Sequence, residues 1–291
     1  MRPSHVILSL LVVVGASAMR KCGTKEAPAA LKQAASLERS HARSIFNFGR
    51  TEQRSLLVDT YFHVVASDKT PEGGWLTDDR LKLQLDALNK NYKSTGVQFQ
   101  LKNTTRTVNE AWANHLVMDP KDEDLVAEVT MKTTLRQGGY AALNIYFRQT
   151  EQGIGGVCNF PELLLSKDPE NLTFWMDGCQ IAHRTVPGNG PPGRYNLGGT
   201  ATHEVGHWFG LLHTFDEGCD GGDFVDDTPA QATETEGCPV GKDTCTGDKY
   251  PGVDPIHNFM DYSDDTCMEG FTPGQAARIF KLWDRYRAGQ K

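Results

Sequence analysis

No part of the 291-residue chain offers the roughly 20 consecutive apolar residues that a membrane-spanning helix needs, so no membrane anchor is expected. The apolar run at 6–15, VILSLLVVVG, is about half that length. With MRPSH before it and Ala16-Ser17-Ala18 after it, the run has the form of a secretory signal peptide over 1–18, which predicts an extracellular protein. Basic charge is also scarce. The 30 Lys and Arg residues stand against 37 Asp and Glu, a net of −7, which removes the positive face a nucleic-acid partner would require. No internal repeat is apparent. The cysteines lack an even count: there are seven. Disulfides in an exported chain use them in pairs, and the isolated Cys22 is the one left over.

What is present suits one globular domain with short appendages, since 38% of the residues are hydrophobic. Residues 19–54 are rich in alanine and charge, with Arg39, Arg43, Arg50 and Arg54 spaced like processing points. They read as a pro-segment, with a disordered linker as the alternative. The domain at 55–291 opens on LLVDTYFHVVA, a strand rich in β-branched and aromatic residues. A helix follows from a Thr77 cap, with Leu81, Leu85, Leu88 and Tyr92 on one face. The pattern then predicts a strand at 97–104, a helix at 122–136, a strand at 141–148 and another near Gln180 to His183. This alternation argues for an α/β (α+β) domain with a mixed sheet. A final helix starts at Thr272-Pro273 and carries Ala276, Ile279, Phe280 and Trp283 on one stripe. The sequons Asn103-Thr104-Thr105 and Asn171-Leu172-Thr173 are glycosylation candidates.

The chemistry is concentrated at 203–213, HEVGHWFGLLH. Residues four apart share a helix face, so His203 and His207 aim at a common point. Chance would produce H-E-x-x-H-x-x-G-x-x-H in a chain this long with a probability on the order of 10⁻⁴, so a pair of satisfied core histidines is the weaker reading. Three imidazoles with a fourth place left to water suit a catalytic Zn²⁺, and Glu204 is the general base on this pattern. On an unbroken helix His213 would sit roughly 15 Å from His203 along the axis. Gly210 can adopt the left-handed conformation that ends a helix and brings His213 back.

HEVGHWFGLLH resembles the long zinc signature of the metzincin metalloproteases. NFMDY at 258–262 then resembles their methionine-containing turn, which makes Met260 the Met-turn residue and Tyr262 the tyrosine beside the zinc. GGDFVDDTPAQ, DPIHNFMDYSDDTC and FTPGQAARI are similar to the pappalysin-type branch, especially small secreted metalloproteases of fungal type, over about 58–287. The resemblance implies a twisted mixed sheet, an active-site helix above the cleft floor, and an irregular lower half tied by disulfides and closed by a C-terminal helix. A Cys-Gly in the pro-segment of such enzymes occupies the open zinc position, which makes Cys22 a candidate latency ligand. A link to another chain and an unmodified thiol remain alternatives for it.

A Cys158–Cys179 disulfide would tie down the loop between those residues. Cys219, Cys238, Cys245 and Cys267 allow three pairings. The crossed one, Cys219–Cys245 with Cys238–Cys267, would clamp the acidic loop to the Met-turn loop and is what the resemblance suggests. The run DEGCDGGDFVDDTP at 216–229 reads either as a solvated loop or as a Ca²⁺ site. Relatives bind calcium there, so Asp223, Asp226 and Asp227 are candidates. His63, His183 and His257 have no partner spacing and are taken as structural.

The resulting expectation is a monomeric secreted zinc endopeptidase, made as a zymogen and acting on polypeptides. A catalytically silent binding protein that keeps the metal would be marked by loss of Glu204, which is present. A zinc hydrolase acting on small esters or amides is the third reading. Asp264 and Asp265, after the Met-turn, raise a preference for basic side chains on the primed side of the cleavage site. Relatives with that preference place the aspartate directly before the loop cysteine, where this chain has Thr266.

Overall fold

A computed structural model describes residues 21–24, 26–45, 54–114, 121–150, 153–162, 172–189 and 194–290. The signal peptide, Arg50 and Asn171 lie outside them. In chain order the elements are β1 (Lys21–Cys22), α1 (Ala29–Ile45), β2 (Leu56–Ala66), α2 (Asp78–Asn91), β3 (Val97–Val108), α3 (Glu110–Ala113), α4 (Asp122–Leu135) and β4 (Leu143–Arg148). They continue with β5 (Ile154–Cys158), α5 (Leu172–Met176), β6 (Cys179–Ala182), α6 (Gly199–Trp208), α7 (Gly218–Gly221) and α8 (Pro273–Tyr286).

The strands form one mixed sheet in the order β1-β5-β6-β4-β2-β3. Strands β2, β3, β4 and β6 run parallel, β5 runs antiparallel to β6, and β1 pairs parallel with β5. Alternate residues of a strand face opposite sides. Val58, Phe62 and Val64 of β2 therefore join Leu143, Ile145 and Phe147 of β4 under α2 and α6, where Leu81, Leu88, Tyr92, Ala201, Val205 and Trp208 complete the main core. On the opposite face Val65 and Tyr146 pack against Met131 of α4. Thr77 caps α2 as expected, and Thr272 and Gln275 form a reciprocal capping box on α8.

The irregular half between α6 and α8 is tied by Cys219–Cys245 and Cys238–Cys267, while Cys158–Cys179 joins β5 to β6. At the far end of α8, Arg287 lies against the Trp208 ring, 3.7 Å from guanidinium to centroid, and donates to both carboxylate oxygens of buried Asp177. Asp177 also accepts from Arg136 and the Trp208 indole. This buried cluster fastens α8 to the end of α6. Removing one partner from such a pair costs about 3–5 kcal/mol, because the other charge is left buried and unpaired.

Three departures from the sequence reading matter. First, 29–45 is a helix, with Leu31, Ala34 and Ala35 turned inward and Leu31 packed with Phe160, Leu212, Leu282 and Tyr286. Residues 29–45 are thus docked on the rest of the domain. Second, IGGVC at 154–158 is a strand, which its two glycines disguised as loop. Third, Arg54 donates to both carboxylate oxygens of Asp284 of α8 at 2.8 and 2.9 Å, a contact the sequence reading did not anticipate. Asn103 of the first sequon is exposed on β3.

The bend after α6 depends on one residue. Gly210 has φ +94°, and a Cβ there would overlap the Leu282 side chain. We expect Gly210→Ala to lower unfolding free energy by about 1–3 kcal/mol through left-handed strain, measured by denaturant unfolding. Unchanged stability would mean that the backbone does not need glycine here.

Candidate metal centre

Helix α6 is buried over its whole length. Its N-terminus meets Asp265, whose carboxylate accepts from the backbone N–H groups of Leu197 and Gly199 at 2.8 and 3.1 Å. A negative charge at that end is stabilised by the unpaired N–H groups and the helix dipole. The C-terminus closes with a Schellman pair: Gly210 N–H donates to the His207 carbonyl at 2.8 Å, and Leu211 N–H to the Gly206 carbonyl at 2.9 Å. The chain then doubles back, and His213 arrives beside the two helical histidines.

All three imidazoles are held by Nδ1. His203 donates to the Phe259 carbonyl at 2.7 Å, His207 to the Leu211 carbonyl at 2.8 Å, and His213 to Asp216 Oδ1 at 2.8 Å. Carbonyl and carboxylate oxygens accept, so each Nδ1 carries a proton and each Nε2 is turned toward a common focus. His207 Nε2 lies 3.1 Å from His203 Nε2 and 3.0 Å from His213 Nε2. Three lone pairs converging in a buried pocket repel one another unless a cation lies between them. Cys22 Sγ completes a group whose ligand atoms all lie within 4.8 Å of one another. Tetrahedral Zn²⁺ with nitrogens at about 2.0–2.1 Å sets them about 3.3 Å apart, so the residues fit a metal without rearrangement.

The other residues singled out in the sequence lie around this group. Met260 is fully buried beneath α6, and a Cβ on Gly206 would overlap its sulfur. Tyr262 places its hydroxyl 3.3 Å from His213 Nε2. Glu204 is fully buried and its Oε2 accepts from Thr24 Oγ1 at 2.8 Å and from Cys22 Sγ at 3.4 Å. Thr24 in turn accepts from the Cys158 N–H at 3.0 Å. Gly156 permits the approach of β5, because a Cβ there would lie 2.8 Å from Glu204 Cγ. Burial first, and the Glu204 charge second, push the Cys22 thiol well above its usual range. In the absence of a cation it is a protonated donor.

Cys22 is the free cysteine among the described residues; Cys158 pairs with Cys179, and the other four are paired in the crossed arrangement. Asp223, Asp226 and Asp227 line one cavity of about 710 Å³ with Asp220. Asp223 is buried and accepts from Val225 N–H, Thr228 and Gln275, while Asp227 accepts from Gly274 N–H at the start of α8. Burial raises the Asp223 carboxyl to about 6. Both carboxylates after the Met-turn are engaged: Asp264 by Arg194 at 2.7 and 2.8 Å, Asp265 by the start of α6. His63 is buried between Thr105 and Asn144, and burial lowers it, like His183, to about 4. His257 donates from Nδ1 to the Cys267 carbonyl of its own loop, and none of the three belongs to the metal group.

Sequence reasoning missed Thr24 and Asp216. Asp216 was absorbed into the acidic run, and only its position three residues after His213 hinted at a separate role.

The chain is similar to several known proteins. Residues 144–284 match the peptidase M43 family, described as pregnancy-associated plasma protein-A. An extracellular metalloprotease of Pyricularia oryzae is 50% identical over 240 residues, 82% of this chain and 78% of its own. Extracellular metalloprotease 1 of Coccidioides posadasii is 45% identical over 287 residues, 97% of this chain and 95% of its own. Among solved structures, mature mirolysin of Tannerella forsythia in complex with a cleaved peptide superposes with a TM-score of 0.62 at 26% identity, covering 79% of this chain and 92% of that one.

Proposed function

The chain belongs to the M43 peptidases, the pappalysin-type metzincins, as an extracellular metalloprotease, and from that premise we propose a zinc endopeptidase made as a zymogen. The observation that carries this reading is the convergence of three histidine Nε2 atoms and the Cys22 sulfur on one focus. Three imidazoles and a thiol form a donor set that suits zinc rather than the hard, oxygen-seeking cations. The domain limits follow: 1–18 removed on export, 19–54 the pro-segment and 55–291 the catalytic domain, acting as a monomer.

Bound zinc supplies Lewis acidity, bringing water toward a pKa of about 7 and polarising the scissile carbonyl. Glu204 takes the proton of the attacking water as the new C–O bond forms, then passes it to the amine nitrogen as the C–N bond breaks. Tyr262 donates its hydroxyl to the carbonyl oxygen as negative charge gathers there. A polypeptide substrate is favoured over a small ester by the edge of β5, where an extended chain already lies: Gly23 N–H donates to the Gly156 carbonyl at 2.8 Å. With Asp264 and Asp265 both engaged inside the chain, no preference for basic side chains is assigned to them.

Latency has two contacts in its support. Cys22 sulfur shares the histidine focus, and Thr24, two residues on, holds the Glu204 carboxylate. The ligand position and the base are covered by one short segment. Calcium at the acidic loop is the second ion we propose, held by Asp223, Asp226 and Asp227. The cavity that these three carboxylates line together supports it, since hard oxygen ligands clustered in a turn-rich loop suit Ca²⁺.

Replacing Glu204 with Ala lowers peptide hydrolysis by about 10²–10⁴-fold while zinc stays bound, because the carboxylate is not a ligand. Turnover near that of the parent would remove Glu204 as the base. Secreted chain that retains the pro-segment is nearly inactive in a peptide assay, and Cys22→Ala activates it without proteolysis. An unprocessed parent as active as the processed form would contradict latency. Calcium at about 1 mM raises the thermal midpoint of the parent but not of Asp226→Asn. Equal shifts in both would exclude the site.

A further inference from the structure

Of the three converging imidazoles, two are fixed by main-chain carbonyls and one by a carboxylate. The difference follows from where each ring sits. His203 and His207 stand on a buried helix whose backbone is fully ordered by its own ladder, and their acceptors, the Phe259 and Leu211 carbonyls, belong to backbone packed against it. His213 comes from irregular chain beyond the Schellman turn and has no helix to aim it. Phe215 stacks on its ring at 4.9 Å with planes 5° apart, and Tyr262 meets it edge to face at 5.1 Å. Stacking fixes the plane of a ring but leaves it free to rotate within that plane. Asp216 removes this freedom: Oδ1 accepts from the ring Nδ1 at 2.8 Å, and Oδ2 accepts from the backbone N–H of the same residue at 3.0 Å. One carboxylate thereby fixes both the main chain and the ring of His213.

We propose that Asp216 is the positioning residue of the metal centre, aiming His213 Nε2 and supplying the one negative charge among the three imidazole partners. A carboxylate behind an imidazole fixes the Nδ1–H tautomer and makes Nε2 a stronger donor than a neutral carbonyl does. Asp216 is thus separated in role from the acidic residues that follow it. Asp220, in the same run, pairs instead with exposed Lys249 and Tyr250.

The inference rests on the reading of His203, His207 and His213 as zinc ligands, and the test separates the two. The full-length secreted chain, Asp216→Asn, Asp216→Ala and Asp220→Ala are compared for zinc affinity by competition with a chelator of known strength, with His213→Ala as the floor. Thermal midpoints are recorded with and without zinc. Asp216→Asn keeps the size of the side chain and guards against simple misfolding. We expect both Asp216 variants to lose zinc affinity by about 10–100-fold, Asp220→Ala to stay within about twofold, and the zinc-free midpoints of Asp216→Asn and the parent to coincide. Affinity of both Asp216 variants within twofold of the parent would overturn the proposal, as would a fall in the zinc-free midpoint of Asp216→Asn equal to the fall with zinc. A parent chain that binds no zinc would instead overturn the ligand reading beneath it.

Discussion

The rest of the structure depends on an electrostatic constraint: three imidazole lone pairs directed at one buried point. Left to themselves, the rings would rotate apart or take up a proton. Here the hydrogen bonds to Phe259, Leu211 and Asp216 forbid rotation, and each assigns the ring proton to the side away from the focus. Only a cation satisfies the arrangement. The elements that hold those acceptors are the ones the fold fastens most heavily. The Met-turn backbone bears on α6 through Met260 and Gly206, the Asp177–Arg287–Trp208 cluster ties α6 to α8, and Asp265 seals the start of α6.

The same rigidity gives the proposed pro-segment a fixed surface to dock on. Lys21–Cys22 adds to the β5 edge by main-chain pairing, and α1 buries Leu31 against Phe160 and Tyr286. Between those two anchors, Cys22 and Thr24 are delivered to the metal focus and to Glu204. Neither contact is strong alone. A single neutral hydrogen bond contributes about 0.5–1.5 kcal/mol, so the holding power comes from the docked helix and strand, with metal ligation by the sulfur added when zinc is present. Loss of the segment would uncover ligand position, base and strand edge together.

The amino-acid order made the centre legible because its determinants are local. Histidines at i and i+4 share a helix face, and a glycine three residues later supplies the positive φ that returns the third ligand. Strands β2, β3 and β4 and helices α2, α4 and α8 followed from periodicity and caps for the same reason. What escaped is non-local. Strand β5 exists because Gly156 must let Glu204 approach, a demand that appears only after the chain has folded. Helix α1 turns Leu31, Ala34 and Ala35 toward the domain, and Leu31's partners there, Phe160, Leu212 and Tyr286, lie far along the chain. Asp216 looked like one of many acids, since nothing in the order of residues distinguishes a carboxylate facing an imidazole from one facing water.

X-ray absorption at the zinc edge on the unprocessed, metal-loaded chain, compared with the processed enzyme, tests the shared focus of Cys22 and the three histidines most directly. If the ligand set is as assigned, the unprocessed chain shows one sulfur at about 2.3 Å with three nitrogens at about 2.0–2.1 Å, and processing replaces the sulfur by a light atom. A spectrum of the unprocessed chain with fewer than three nitrogens, or with no sulfur, would contradict it.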